Sequence, residues 1–99
     1  MSEARPWFVY IARCADDTLY TGIAVDVAAR IASHNAGRGA RYTRGRAPIS
    51  VCVKRRCASQ GDALRLELAV KRLSRDEKER LTQPRRLGVF ARALLRASD

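Results

Sequence analysis

The sequence lacks the features that would place the chain in a membrane or in an oxidising compartment. No stretch approaches the roughly 20 apolar residues that a membrane-spanning helix needs. The first residues show no apolar run behind a basic start, so we expect no secretion leader. The three cysteines, Cys14, Cys52 and Cys57, are odd in number and do not have the spacing of metal ligands. They are typical of reduced thiols, and we therefore expect a cytoplasmic protein.

Acidic residues are also scarce, because ten Asp and Glu stand against twenty Lys and Arg, which gives a net charge of +10. An excess of this size in a small chain predicts an anionic partner. Arginine outnumbers lysine, and its planar guanidinium group suits phosphate oxygens. No basic amphipathic helix with a Trp or Phe face is evident from the sequence, which favours nucleic acid over a membrane surface.

The chain of 99 residues suits one domain, which we expect to have a core over residues 7–82 and a helical extension over 83–99. Aromatic and β-branched residues predict strands over Trp7–Ala12, Leu19–Ala24 and Ile49–Val53, the last extending as far as Cys57. Capping residues predict three helices, which begin after Asp26, Ser59 and Ser74.

Pro84 is expected to break the chain, and the spacing of apolar residues predicts a last helix over Leu87–Ala97. The order β-β-α-β-α-α-α predicts an α/β or α+β domain in which helices cover a small three-stranded sheet.

Tyr10 and Tyr20 lie on the first two predicted strands, where a single aromatic residue indicates only a preference for strands. Side chains alternate between the two faces of a strand, so the turn decides whether the phenols share a face. A loop of odd length, such as Ala15 to Asp17, places both phenols on one face. A two-residue loop at Asp16 and Asp17 would place them on opposite faces.

Arg30 and His34 lie four residues apart on the predicted first helix and are therefore neighbours on its surface. Spacing alone favours an ordinary surface pair, with Arg30 bonded to Asp26. Glu67 lies within the apolar arc of the next helix, so its carboxylate needs a partner. Lys71, one turn later, offers a salt bridge, and a hard cation such as Mg²⁺ is the functional alternative.

The segment from residue 37 to residue 46 is rich in glycine and arginine. Glycine lets backbone N–H groups approach a phosphate, and Tyr42 offers a ring or a hydroxyl group to a base. Four arginines supply positive charge: Arg38, Arg41, Arg44 and Arg46. The segment is not a Walker loop, because it lacks the Gly-Lys-Ser/Thr ending. A flexible, solvated basic loop is the alternative.

In their order and spacing, these residues resemble the signature of the GIY-YIG nuclease superfamily. The matching residues are Val9-Tyr10-Ile11, Tyr20-Thr21-Gly22, Arg30, His34 and Glu67. Further likeness to the small, single-domain bacterial branch of that superfamily lies in Gly37 to Thr43, Pro48 and Lys71-Arg72-Leu73. The resemblance covers residues 7 to 82, and the ordered set of motifs is far more specific than any one of them.

The resemblance implies a mixed α/β fold and hydrolysis of phosphodiester bonds with one divalent metal, Mg²⁺ or Mn²⁺. It implies that Glu67 holds the metal and that Tyr10 or Tyr20 orients or deprotonates the attacking water. Arg30 would stabilise the charge that develops on the phosphate, and His34 would contact phosphate or relay a proton. Both phenols should then face the helices that carry Arg30 and Glu67.

A second set of residues would bind nucleic acid, with Gly22 letting the backbone pack closely beside the site. This set comprises Gly22, Arg38, Arg41, Tyr42, Arg44 and Lys71. The chain departs from the family in its first motif, which reads Val-Tyr-Ile, and in having a single asparagine, Asn35. Many family nucleases carry an asparagine late in the domain that contacts phosphate, and Lys71 is the residue that would substitute for it here.

Two functions are therefore expected from the sequence. The first is a metal-dependent nuclease of low intrinsic sequence specificity, acting on DNA in preference to RNA, with a protein partner supplying specificity. The second is a non-catalytic nucleic-acid-binding module that retains the nuclease fold. Glu67 favours the first, because a carboxylate without a metal would repel phosphate.

Overall fold

The computed structural model describes residues 5–97, and its elements follow the predicted order β-β-α-β-α-α-α. Three antiparallel strands form one sheet in the order β2-β1-β3. The strands are β1 (Trp7–Arg13), β2 (Leu19–Ala24) and β3 (Ser50–Cys57). The helices are α1 (Val27–Asn35), α2 (Gln60–Lys71), α3 (Arg75–Arg80) and α4 (Pro84–Ala97). A short 3₁₀ turn, Arg41–Thr43, lies inside the segment that sequence alone indicates as a loop.

The turn between β1 and β2 has the odd length that places both tyrosines on one face. Ala12 pairs with Tyr20, and a three-residue loop, Ala15 to Asp17, joins the strands. Asp17 has a φ of 69°, a left-handed conformation that Asp tolerates better than most residues. Tyr10 lies diagonally across from Tyr20, and its partner directly opposite is Gly22. The predicted hairpin geometry is confirmed.

The sheet has an apolar cluster on each face. On the first face, Val9 and Ile11 pack against α2 and α4. On the second face, Tyr10 and Ala12 pack against α1. The tyrosines therefore face α1, as expected, but α2 lies on the other face. The expectation that the phenols also face the helix carrying Glu67 is wrong, because α2 buries its apolar residues, Leu66 among them, on the Val9 face.

Local signals account for most helix ends. The Asp26 side chain accepts from the backbone N–H of Ala29, 3.0 Å away, and Ser74 with Glu77 forms both halves of a capping box. Pro84 differs from the prediction, since it is the first residue of α4 and does not break the chain. A proline is well tolerated there, because the first turn of a helix leaves its N–H groups without intrahelical partners.

Helix α4 is basic and amphipathic, which inspection of the sequence did not indicate. Leu87 and Ala91 are fully buried against the sheet, and Phe90 is partly buried beside them. Its four arginines, Arg85, Arg86, Arg92 and Arg96, are exposed. The apolar face of α4 thus serves folding and is not left open to a lipid surface. Within residues 5–97, none of the helices combines the length and the hydropathy required to cross a bilayer.

Asn35 ties the end of α1 to the start of β3. Its side-chain amide donates to the carbonyl of Ile49 at 3.1 Å, and its side-chain oxygen accepts from the Ile49 N–H at 2.6 Å. This pair of hydrogen bonds gives the single asparagine of the chain a structural role.

Candidate active site

Tyr10, Tyr20 and His34 form an aromatic cluster between the sheet and α1. The Tyr10 hydroxyl oxygen lies 3.2 Å from Nε2 of His34. The ring centroid of Tyr20 lies 6.2 Å from that of Tyr10 and 5.1 Å from that of His34. Tyr10 is fully buried and His34 is 2% exposed, whereas Tyr20 is half-buried. The structure therefore brings these three predicted site residues together.

Thr43 determines which nitrogen of His34 carries the proton. The Thr43 hydroxyl donates to the carbonyl of Ala40 at 2.8 Å, so its oxygen is left to accept from Nδ1 of His34 at 2.7 Å. The Ala40 N–H points to Nδ1 from 3.3 Å, a longer contact in which Nδ1 would be the acceptor, and we assign the tautomer from the shorter contact with Thr43. With Nδ1 protonated, Nε2 accepts a hydrogen bond from the Tyr10 phenol.

Burial and the positive charge of Arg30 lower the pKa of His34 below its usual value. The ring is therefore neutral at pH 7 and can take up a proton. Burial also raises the pKa of the Tyr10 phenol far above its ordinary value; Tyr20 and Glu67 raise it as well, while Arg30 opposes them. Tyr10 is consequently a phenol in the free protein, and it acts as a base only when added positive charge or a proton acceptor assists it.

Two glycines provide the space in which the cluster packs. A Cβ added to Gly22 would lie 2.6 Å from the Tyr10 hydroxyl oxygen. A Cβ added to Gly39 would lie 2.5 Å from Cγ and 2.6 Å from Cε1 of His34, and closer still to Nδ1. The close approach predicted for Gly22 is present. Gly39 and Thr43 were not predicted as site residues, because nothing in their spacing shows that the 37–46 segment folds over His34.

The 37–46 segment covers the half-buried side of the cluster. The Tyr42 ring stacks on Tyr20 with centroids 5.7 Å apart, and the Arg46 guanidinium lies 4.4 Å from the Tyr42 ring centroid. Arg46 also forms an ion pair with Asp16 at 2.6 Å. The other three arginines of the segment are exposed and form no ion pair within the described part of the chain: Arg38, Arg41 and Arg44.

Two further charged residues, Arg30 and Glu67, influence the pKa values of the cluster. Arg30 is exposed on α1, and its charge acts on both Tyr10 and His34. The Glu67 side chain is 18% exposed, and its Oε2 lies 3.2 Å from Nζ of Lys71. The salt bridge expected as an alternative is thus present. The charge of Glu67 also raises the pKa of Tyr10, although α2 packs on the other face.

The donor atoms fit a metal that binds together with its substrate. The described residues contain no group of three or more His, Cys, Asp or Glu side chains that could hold an ion without other ligands. Mg²⁺ is often bound by one or two carboxylates together with substrate phosphates and water. Glu67, whose charge raises the pKa of Tyr10, is the residue that would supply such a single protein ligand.

The sequence profile of the GIY-YIG catalytic domain matches residues 6–80. The chain belongs to the GIY-YIG family. Helix α4 of this GIY-YIG protein lies beyond the matched residues. Nucleases of the GIY-YIG family generally depend on a divalent metal, and the domain implies binding of nucleic acid.

Relatives with a similar sequence agree with this assignment. A UPF0213 protein of Desulfotalea psychrophila is 45% identical over 88% of this chain and 81% of its own length. A UPF0213 protein of Cupriavidus pinatubonensis is 46% identical over 79% and 87% of the two chains. The solution NMR structure of a UPF0213 protein from Bacillus halodurans matches with a TM-score of 0.51 and 45% identity, covering 77% of this chain and 81% of that one. The resemblance and the predicted fold class are both confirmed.

Proposed function

We propose that this GIY-YIG protein is a metal-dependent nuclease that hydrolyses phosphodiester bonds in DNA or RNA with low intrinsic sequence specificity. The observation that carries the proposal is the buried hydrogen bond between the Tyr10 phenol and Nε2 of His34. Arg30 and Glu67 both act electrostatically on the same phenol. The phenol thus has a buried hydrogen-bond partner in His34, and the charges of Arg30 and Glu67 both shift its pKa, which supports proton transfer and charge stabilisation at this hydroxyl group.

The hydrogen bonds define a path for one proton. The attacking water gives a proton to the Tyr10 oxygen while the phenol passes its own proton to Nε2 of His34. The new imidazolium keeps its Nδ1–H bond to Thr43, whose hydroxyl is itself held by the Ala40 carbonyl. The water oxygen then forms its bond to phosphorus, and the leaving oxygen departs with the electron pair of the broken bond. His34 is the store for the proton that the water loses.

The remaining residues hold the substrate in place. Glu67 would bind Mg²⁺ or Mn²⁺, which lowers the pKa of water and neutralises phosphate charge. Arg30 would stabilise the charge that develops on the phosphate, and Tyr20 would supply a second hydroxyl group to orient the water. Lys71, which pairs with Glu67 here, would be free to contact phosphate once Glu67 held the cation. Tyr42 presents its exposed ring to a base beside Tyr20.

A non-catalytic nucleic-acid-binding module is the second candidate. The observation that favours it is the Glu67–Lys71 pair, because it satisfies the carboxylate without any metal. In that function the exposed arginines bind the phosphate backbone, and Tyr10 and His34 serve only to pack the fold.

Cleavage of labelled DNA and RNA of several shapes, with and without Mg²⁺ or Mn²⁺, separates these functions. We expect cleavage by the wild type only when the metal is present. Arg30→Ala should lower kcat by about 10²–10³-fold, the usual loss for one transition-state donor, and lower affinity by less than about threefold. Arg30→Lys is the control that keeps the charge. Equal losses of cleavage and affinity would make Arg30 an ordinary phosphate contact, and no cleavage of any substrate would support the binding module.

The three exposed arginines of the 37–46 segment should set the salt dependence of binding. Replacing Arg38, Arg41 and Arg44 by Ala should reduce the slope of log K against log salt by about 0.9 for each phosphate of duplex DNA that these side chains neutralise. Fluorescence anisotropy titrations from about 50 to 200 mM salt measure this slope. A matched variant replaces three exposed arginines of α3 and α4: Arg80, Arg85 and Arg86. If the slope falls equally in both triple variants, the segment is not the principal phosphate contact.

A further inference from the structure

A second basic cleft, of about 430 Å³, lies between β3, the start of α2 and α4. Arg55 of β3 pairs with Val9 and therefore projects from the face opposite the tyrosine cluster. The polar residues of this arginine cleft are Arg55, Asp62, Arg65, Arg92 and Arg96. The cleft is thus separate from the candidate active site, and none of its residues belongs to the proposed catalytic set.

Two guanidinium groups converge above Gly88 of α4. A Cβ on Gly88 would lie 3.2 Å from Nη1 of Arg55 and 3.4 Å from Nη1 of Arg92. Both nitrogens therefore lie above the same point of the helix backbone. Glycine inside a helix costs about 1 kcal/mol relative to alanine. With glycine at position 88, α4 is therefore less stable than it would be with alanine, and this is the residue above which the two guanidinium groups lie.

The described residues, 5–97, leave the charge of the cleft unbalanced. Four arginines line it, and its one carboxylate, Asp62, pairs with Arg65. No carboxylate within residues 5–97 forms an ion pair with Arg55, Arg92 or Arg96. Like charges at short distance repel one another, so an anion between them would stabilise the arrangement.

We propose that the arginine cleft binds a second stretch of nucleic-acid backbone, apart from the stretch that enters the active site. Two convergent guanidinium groups match the paired oxygens of a phosphodiester. A lipid surface fits less well, because Leu87 and Ala91 of α4 are buried in the core and the exposed Val89 does not line the cleft. The inference rests on the proposed function only in taking nucleic acid as the ligand. Because α4 lies outside the matched catalytic domain, the cleft would give this protein a nucleic-acid contact that the catalytic domain alone does not form.

The test compares two double variants of equal charge. Arg55→Gln with Arg92→Gln removes the convergent pair, whereas Arg85→Gln with Arg86→Gln removes the same charge from exposed residues of α4 outside the cleft. We expect the cleft variant to bind a fluorescein-labelled DNA duplex at least tenfold more weakly by anisotropy, and the control less than threefold. In cleavage assays the loss should appear in KM, because binding is lost equally from ground and transition states. Thermal unfolding by circular dichroism checks that both variants fold.

A charge-neutral variant provides an independent measurement. Gly88→Ala leaves every arginine in place but pushes the two guanidinium groups apart, so it should weaken DNA binding while raising the melting temperature.

Equal affinity losses in the two double variants, or unchanged affinity in Gly88→Ala, would overturn the proposal. It would also be overturned if the cleft variant lost binding to anionic phospholipid vesicles and kept its DNA affinity. A wild type that binds neither DNA nor RNA would overturn the proposed function itself. If DNA affinity were lost only on replacing Arg38, Arg41 and Arg44, the proposed function would stand without this second site.

Discussion

Glu67→Gln should abolish metal-dependent cleavage, with kcat reduced by about a thousandfold or more, and leave nucleic-acid affinity unchanged or higher. Metal coordination is worth several kcal/mol of transition-state stabilisation, and each 1.4 kcal/mol is about tenfold in rate. Glu67 is the carboxylate whose charge acts on the Tyr10 phenol. Without it, the described residues offer no group of three or more His, Cys, Asp or Glu side chains that could hold the ion in its place. The affinity should not fall, because glutamine removes a negative charge that repels phosphate.

Three measurements distinguish loss of a metal ligand from loss of structure. The Glu67–Lys71 pair is partly exposed, so its removal should change stability by less than about 1 kcal/mol, which thermal unfolding will show. Lys71→Ala removes the other partner of the pair and should retain metal dependence. Asp76→Asn removes an exposed carboxylate of α3 and should behave as the wild type. Full cleavage by Glu67→Gln in Mg²⁺ would show that Glu67 serves only as the partner of Lys71.

Most of the fold follows from local signals in the sequence. Aromatic and β-branched residues define the strands, and side-chain caps at Asp26, Ser59 and Ser74 define three helix starts. The shared face of Tyr10 and Tyr20 depends only on the odd length of one turn, so sequence predicts it as soon as that turn is known. The face on which α2 packs is different, because it depends on how the chain crosses from β3, and no local pattern records that crossing.

In the candidate site, too, sequence spacing predicts some contacts, whereas others depend on how distant segments fold together. Arg30 and His34 are one turn apart on a helix, and this spacing shows that they are neighbours. The contacts that define the chemistry of His34 come from elsewhere, since Thr43 and the backbone at Gly39 reach the ring only when the 37–46 segment folds back over α1. Arg46 shows the opposite effect. In the sequence Arg46 is one of four similar arginines, but in the structure its guanidinium group contacts the Tyr42 ring and forms an ion pair with Asp16.

Gly39→Ala should be the most damaging glycine substitution in the described chain, with a loss of about 3 kcal/mol in the free energy of unfolding. The added methyl group would overlap the His34 ring, which cannot move aside easily. That ring is bonded to Tyr10 through Nε2 and to Thr43 through Nδ1, and it packs edge-on against Tyr20. For a domain of this size the melting temperature should fall by roughly 12–24 °C.

Gly61→Ala is the matched control for Gly39→Ala, because Gly61 lies in α2 and its added Cβ would meet only Ser59 Oγ, 3.8 Å away. This variant should be as stable as the wild type or more stable, since alanine favours the helix. The chain has a single histidine, so NMR signals of its imidazole ring report on His34 without assignment. In Gly39→Ala these signals should titrate closer to the usual pKa of histidine, because the displaced ring is better solvated.

The same displacement should change how stability depends on pH. In the wild type, the folded-state pKa of His34 lies below its unfolded value, so stability is full above the unfolded pKa and is lost as pH falls through the lowered one. Gly39→Ala brings the two pKa values together and should therefore lose less of its remaining stability between neutral pH and mild acid. Urea denaturation at several pH values measures that slope. Wild-type melting with an unshifted His34 titration in Gly39→Ala would show that the 37–46 segment does not close tightly on the ring, and the proton path through Nδ1 and Thr43 would have to be abandoned.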